Sequence, residues 1–471
     1  MKQIELKIDG RSVKVPEGTT ILNAARSAGI EIPALCAYEG LKPKAACRLC
    51  QVEIKGEDKL KLACAVKVKS GMEVSTDSGA LYTIRREILT EMFRQHTVDC
   101  HHCLRIGSTK AEHFDPKFCE SCFFCDCVRD GFCELQTMAL RFGIDKLPFE
   151  IHEHDFGFDC SADPVIRNMD KCIRCRRCIE VCERQSVGIL GLRKKENGQT
   201  VAAEHDMLTD GCIRCGRCVD VCPTGALFMR ENKDEIVYHA HQPGTKTAAL
   251  LCSDVTGPLE TLYGESFSED QVAAALKKIG IDHVFDGRSA EAMSCAAAEG
   301  LLDSRLGSGP LILTDDNAAK VFIRGRYPQL EESYAFYDSP QKVFAGSVRE
   351  QMPDAKLIVV SARNGNAAEI YEDITDGYFV NPRELYRIFM RTGGAPHRRI
   401  PVEMDLLEEV KLSDSYVGIL AERKWSAAEA PEEVVIAKDG KEYKGLICFD
   451  LKQAAEALDH PEKYDVIRVL A

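Results

Sequence analysis

Several things are scarce in this sequence, and each shortage excludes something. No run of about eighteen apolar residues occurs, so no segment reads as a membrane-spanning helix. The opening stretch, Met1 to Ile8, alternates polar and apolar residues as a strand does and has no apolar leader core, which predicts a cytoplasmic protein. Basic residues are outnumbered, 61 Lys and Arg against 74 Asp and Glu; the net charge of −13 is the opposite of the footprint that nucleic-acid binding requires. No glycine-rich phosphate loop is present: Gly307-Ser308-Gly309-Pro310 is too short and lacks the dinucleotide pattern. Cysteine itself nearly disappears after residue 222, where only Cys252, Cys295 and Cys448 of the 23 remain, each in an apolar stretch that predicts a core position.

The first half is dense in cysteine. In a cytoplasmic protein thiols stay reduced, so regular cysteine spacing points to metal sites rather than disulfides. Cys36, Cys47, Cys50 and Cys64 are spaced C-x10-C-x2-C-x13-C, three in one loop and the fourth delivered by the strand-like Lys61-Leu62-Ala63. That is the plan of a 2Fe–2S ferredoxin site. Two strands, Gln3–Ile8 and Ser12–Val15, precede it with a turn at Asp9-Gly10. A helix follows from Ile21, with Thr20 as N-cap and Gly29 closing it, which suits a β-grasp ferredoxin fold.

Further on, Cys172, Cys175, Cys178 and Cys182 recur as Cys212, Cys215, Cys218 and Cys222, each set C-x2-C-x2-C-x3-C and the second ending in Cys-Pro. In two-cluster ferredoxins the fourth cysteine of each run serves the other cluster. One 4Fe–4S cluster is therefore expected on Cys172, Cys175, Cys178 and Cys222, and another on Cys212, Cys215, Cys218 and Cys182. Arg174, Arg176, Arg177, Arg214 and Arg217 stand between these ligands, either to raise cluster potentials or to form a solvated or docking face. Cys160 stands alone and is expected to be a buried thiol.

Between these sites lie one histidine and seven cysteines, enough for two tetracoordinate centres. His96, Cys100, Cys127 and Cys133 form one candidate 4Fe–4S set, with Cys103 able to replace Cys127. Cys103, Cys119, Cys122 and Cys125 form the other, for a further cluster or a structural zinc, since four thiolates suit both. His101, His102 and His113 are expected at the surface. The count is thus one 2Fe–2S and three or four 4Fe–4S clusters, with zinc as the substitute for the fourth.

Residues 81–98 read as helical. Beyond residue 240 strand-like runs (Thr247–Leu251, Leu311–Leu313, Leu357–Val360, Val417–Leu420) alternate with helix-like ones (Asp270–Ile279, Ser339–Met352, Pro382–Arg391, Leu451–Leu458), an α/β pattern. The expected architecture is multidomain α+β: a 2Fe–2S ferredoxin domain over 1–80, a His/Cys 4Fe–4S domain with a cysteine-rich insertion over 81–145, a two-4Fe–4S ferredoxin domain over 146–240, and an α/β domain over 241–471.

These sets, in this order, resemble the electron-input region of multi-cluster FeFe-hydrogenases and of the large iron–sulfur subunit of respiratory complex I. His96, Cys100 and Cys133-Glu134-Leu135-Gln136 match that family's His/Cys segment, and Cys127 and Cys133 meet its cysteine spacing; the stretch before Cys127 departs from it. The second half looks like the hydrogenase catalytic domain, through Gln271–Asp286, Tyr327-Pro328-Gln329-Leu330 and Ser339–Phe344. Its ligand motifs are replaced. Thr314-Asp315-Asp316-Asn317-Ala318 and Ala362-Arg363-Asn364-Gly365-Asn366 stand where cysteines are expected, and the last motif would follow Tyr464–Ala471. No catalytic site is expected here.

What the resemblance implies is an electron-transfer subunit of a soluble NADH/ferredoxin-linked complex of anaerobic metabolism, in some relatives electron-bifurcating. Its partners would be a flavin- and NADH-binding iron–sulfur subunit, a small 2Fe–2S thioredoxin-like subunit, ferredoxin, and a separate catalytic subunit such as a formate dehydrogenase. Two other readings compete. One is an enzyme with a new cation site at Asp315, Asp316 and Asn317, through oxygen ligands; the other is a redox sensor using the second half as an interaction module.

Overall fold

The computed structural model describes residues 2–94, 96, 127–129, 133–144, 147–149, 156–196, 198–407, 410, 414–420 and 429–470, together with the backbone of 102–103 and 108–109. Cys100, Cys119, Cys122 and Cys125, the side chains of His102 and Cys103, and His101 and His113 lie outside what it describes.

The N-terminal strands are β1 (Gln3–Ile8), β2 (Arg11–Pro16), β3 (Gln51–Ile54), β4 (Lys61–Leu62) and β5 (Glu73–Ser75), in sheet order β2-β1-β5-β3-β4. Asp9 and Gly10 both take positive φ, the backbone a tight antiparallel hairpin needs. The alternation of β1 puts Ile4, Leu6 and Ile8 inward against Val13, Val15 and the helix Ile21–Ser27. Thr20 caps that helix, accepting from the Asn23 N–H at 3.2 Å as the sequence predicts. The helix anticipated over 81–98 is described over Gly79–Arg94. A hairpin of β6 (His102–Cys103) and β7 (Ser108–Thr109) follows.

The ferredoxin-like repeat contains β8 (Phe158–Asp159), β9 (Val165–Asn168), β10 (Gly191–Lys195), β11 (Gly198–Ala202) and β12 (Leu227–Met229). These form an antiparallel sheet β12-β9-β8 and a β10–β11 hairpin. Two short helices, Arg177–Arg184 and Arg217–Asp220, each begin after a residue in the left-handed conformation, Arg176 and Gly216.

The last region is two sheets. β13 (Thr247–Leu251), β14 (His283–Asp286), β17 (Lys356–Val360) and β18 (Gly377–Val380) form an all-parallel sheet, order β14-β13-β17-β18. β15 (Leu311–Thr314), β16 (Tyr334–Phe336), β19 (Glu432–Lys438), β20 (Lys441–Cys448) and β21 (Val466–Val469) form the second, order β16-β15-β21-β20-β19, with only β19 antiparallel to its neighbour. Parallel strands buried on both faces read as continuous apolar runs, which is why β13, β15 and β17 were legible. Val417–Leu420 is a short helix and not the strand its composition suggested; four apolar residues carry no period that separates the two. Among the described residues no helix is long and apolar enough to cross a membrane.

Candidate metal centres

The loop carrying Cys36, Cys47 and Cys50 and the turn carrying Cys64 are pinned by backbone. Ala63 N–H donates to Cys50 O and Leu22 N–H to Ala63 O, each at 2.9 Å. The Arg85 guanidinium, 3% exposed, donates to the carbonyls of Leu49, Thr76 and Gln51 at 3.0, 2.9 and 2.7 Å, fixing the helix Gly79–Arg94 against that loop. All four sulfurs are buried; Cys36 is within hydrogen-bond reach of Cys47 and Cys64, and Cys50 of Cys64. The Cys36 sulfur also accepts from the N–H groups of Ala46 and Cys47. Ala45 and Arg48 take positive φ to bend the loop around it.

His96 is 5% exposed and its Nδ1 lies 2.9 Å from Lys171 O. A carbonyl accepts only from N–H, so the proton sits on Nδ1 and the Nε2 lone pair is the one available to a metal. The same Lys171 O accepts from Thr224 Oγ1 at 2.8 Å, and the Cys127 sulfur lies against Gly225 next to it. Cys133, buried, begins the helix Glu134–Arg141; burial and the neighbouring Cys127 push its thiol up to about 12. His96, Cys127 and Cys133 are thus all held on the ferredoxin-like repeat. Glu134 secures that contact, taking both Arg177 nitrogens at 2.7 and 2.8 Å while its N–H donates to Pro223 O at 2.9 Å.

In the repeat, Cys182, Cys212, Cys215 and Cys218 line one small apolar void. Burial raises all four thiols, Cys212 to about 11. Among the other four, Cys175 is raised by burial and then by Cys178, Cys222 and Cys172. Beside them is Arg167, 1% exposed, whose three guanidinium nitrogens have no hydrogen-bond partner among the described residues. Burial would lower its pKa, but the charge of Cys172, Cys178 and Cys222 holds it above the ordinary value. Sequence reasoning passed over Arg167. Of the arginines it did single out, Arg177 pairs with Glu134, Arg217 with Asp220, and Arg214 with Glu372. Cys160, expected to be buried, is exposed.

One apolar cluster contains Cys36, Cys47, Cys133 and Cys175 together with Leu35, Leu49, Leu89 and Phe93. Members of three candidate ligand sets therefore share a single core. A second seam joins the repeat to the two-sheet region. A Cβ placed on Gly216 would meet Asn364 Cβ at 2.7 Å, Asn364 Nδ2 donates to Asp220 at 2.6 Å, and Gly365 backs onto Cys215 O.

Between the two sheets lies a cavity of about 320 Å³. It sits beyond the carboxyl ends of the parallel strands, where open α/β sheets place ligands. Asp254, Glu291, Asp315, Arg363 and Arg468 line it, together with Cys252 and Cys295; Cys252 and Cys448 are buried in apolar cores as expected, whereas Cys295 is only half-buried. Asp316 instead caps the helix Asn317–Arg326, accepting from Ala319 N–H at 2.9 Å, so Asp315, Asp316 and Asn317 do not converge on a cation. Among the described residues no three His, Cys, Asp or Glu side chains close on a point as a single ion requires.

Residues 1–79 match the 2Fe-2S iron-sulfur cluster binding domain, 171–226 the 4Fe-4S dicluster domain, and 246–367 the C-terminal domain of the iron only hydrogenase large subunit. The chain is 33% identical over 393 residues to the NADP-reducing hydrogenase subunit HndD of Solidesulfovibrio fructosivorans, covering 77% of this chain and 62% of that protein. It is 32% identical over 201 residues to the NADPH-Fe(3+) oxidoreductase subunit alpha of Geobacter sulfurreducens, covering 42% of this chain and 20% of the relative. It is 30% identical over 193 residues to the mitochondrial NADH dehydrogenase [ubiquinone] iron-sulfur protein 1 of Solanum tuberosum, 40% of this chain and 23% of the relative. The chain thus spans less than two thirds of each of these relatives. It is a multidomain iron–sulfur protein related to hydrogenase subunit HndD and to the large iron–sulfur subunits of NADH oxidoreductases, with a 2Fe–2S domain, a 4Fe–4S dicluster domain and a hydrogenase-like C-terminal region.

Proposed function

We propose that this chain is the electron-relay subunit of an NAD(P)H-linked oxidoreductase complex and performs no substrate chemistry itself. Clusters bound here supply one-electron storage. The protein's part is to hold buried thiols in fixed rings, exclude water and keep successive sites in contact. The observation that carries this reading is the shared apolar core of Cys36, Cys47, Cys133 and Cys175, which ties three candidate sites together. The donor sets fit: Cys182, Cys212, Cys215 and Cys218 line one void, and the buried guanidinium of Arg167 needs the negative charge that thiolate-bound iron–sulfur groups bring.

On this reading 2Fe–2S is held by Cys36, Cys47, Cys50 and Cys64. The repeat holds two 4Fe–4S clusters, on Cys172, Cys175, Cys178, Cys222 and on Cys212, Cys215, Cys218, Cys182. His96, Cys100, Cys127 and Cys133 hold a third, supported by the orientation of His96 and the burial of Cys127 and Cys133. Cys103, Cys119, Cys122 and Cys125 hold a further cluster or zinc. The units run 1–80, 81–145, 146–240 and 241–471. The partners are a flavin- and NAD(P)H-binding iron–sulfur subunit, a small 2Fe–2S thioredoxin-like subunit, ferredoxin, and a separate catalytic subunit, for which a formate dehydrogenase is the leading choice, working in the cytoplasm of an anaerobe and coupling by bifurcation. Relatives carrying NAD(P)H-linked names support the first of these.

The test is anaerobic purification of the chain. Reduction should reveal one 2Fe–2S and at least three 4Fe–4S EPR signals, with no hydrogen formed from a reduced dye. Affinity capture of the native complex should bring flavin and molybdenum or tungsten. Zinc without iron, or hydrogen evolution, would overturn the proposal. The cavity between the sheets favours a second reading, in which the hydrogenase-like region has kept a ligand-binding role; calorimetry against metabolite mixtures distinguishes the two.

A further inference from the structure

The repeat is asymmetric at one buried position. Its register is fixed by Asp170 and Asp210, each two residues before the first cysteine of its run. Each carboxylate accepts from two consecutive N–H groups: Phe156 and Gly157 for Asp170, Glu204 and His205 for Asp210. Five residues before the same cysteines stand Arg167 and Met207, each 1% exposed. Met207 borders the apolar void ringed by Cys182, Cys212, Cys215 and Cys218. Arg167 lies among Cys172, Cys178 and Cys222. At this paired position one half of the repeat thus has a buried cation without a carboxylate partner, and the other has a thioether, the Arg217 that lines the same void being paired with Asp220.

The other arginines near these sulfurs do not even out the difference. Arg174 and Arg176 belong to the same run as Cys172, Cys175 and Cys178 and so fall on the Arg167 side, while Arg177, Arg214 and Arg217 are each answered by a carboxylate, Glu134, Glu372 and Asp220. For Arg167 no carboxylate, carbonyl or hydroxyl is in reach among the described residues. A buried guanidinium in that position is tenable only with anionic sulfur beside it, and it stabilises each further negative charge placed there. Charge and hydrogen bonds to the sulfurs set the potentials of such centres.

We infer that Arg167 makes the centre of Cys172, Cys175, Cys178 and Cys222 the higher-potential member of the pair, so that electrons reaching the repeat settle there rather than beside Met207. This rests on the iron–sulfur reading above. The exchange is a single electron passing between neighbouring sites, one oxidised as the other is reduced, with no bond broken. Arg167 is a tuning residue rather than a ligand.

Potentiometric EPR titration of the full chain tests it. The two dicluster couples of the wild type should differ by at least tenfold in reduction equilibrium, which is 59 mV for a one-electron couple. Arg167→Met, which copies the twin position, should lower the higher couple and close the gap, leaving the other couple and the 2Fe–2S signal in place. Arg167→Lys should retain most of the gap. Coincident wild-type couples, a measurement needing no variant, would overturn the inference, and so would a gap unchanged in Arg167→Met. Absence of any paired four-iron signals in the wild type would sink the underlying reading and this inference with it.

Discussion

The cysteine-bearing half and the hydrogenase-like half differ in what their sequences preserve. In the first, the two C-x2-C-x2-C-x3-C runs repeat one spacing, and the backbone around the cysteines adopts left-handed turns at Ala45, Arg48, Arg174 and Arg214. In the second, strands, caps and a cavity are present, while the stretches matched to the expected ligand motifs hold Asp315 and Asn364. Sulfur ligation tolerates no drift in geometry, whereas a packed α/β frame needs only apolar faces of suitable volume.

Five substitutions bear on that contrast, one of them a control, in order of expected size. Cys222→Ser should cost one four-iron centre and on the order of 5 kcal/mol of stability, whereas Cys448→Ser, buried in an apolar core of the second half, should leave iron content unchanged. Iron analysis with thermal unfolding checks both, and equal iron loss would erase the distinction between halves. Arg85→Ala removes three donors to buried carbonyls and should cost about 3–5 kcal/mol, with broadened 2Fe–2S EPR lines.

Gly216→Ala places a methyl group where Asn364 already sits, at φ +72°, and should cost about 2–3 kcal/mol as the two halves are forced apart. Limited proteolysis near residue 364 should accelerate. The smallest effect is a gain. Glu384 is fully buried; burial and then Glu231 raise its carboxyl well above the ordinary 4.5. Its folded pKa exceeds its unfolded one, so the protein loses stability as pH climbs from about 4.5 through the folded value. Glu384→Gln, which keeps the acceptor for Asn232 N–H, should add about 1–2 kcal/mol at neutral pH and nothing below pH 4. Denaturant melts at both pH values decide it.

Much of this was legible in advance, because metal ligation and parallel strands leave local patterns. β1, β13 and the helix Leu451–Leu458 fall where the sequence places them. What stayed hidden depends on distant chain. The partner that orients His96 is the carbonyl of Lys171, 75 residues away. The long helix Gly287–Arg305, rich in alanine, shows no continuous apolar stripe, and Cys295, expected in the core, is half-buried beside the cavity between the two sheets. Arg167 left a signal that went unread: aligning the two cysteine runs sets it opposite Met207.

The seam at Gly216 has a mechanical corollary. With a side-chain carbon of Asn364 where a methyl would go, and Gly365 against Cys215 O, the relay and its neighbour are keyed together and cannot slip past one another. For the electron relay proposed above, such a lock would make the interior a fixed conduit and leave control to partners that bind the outer faces.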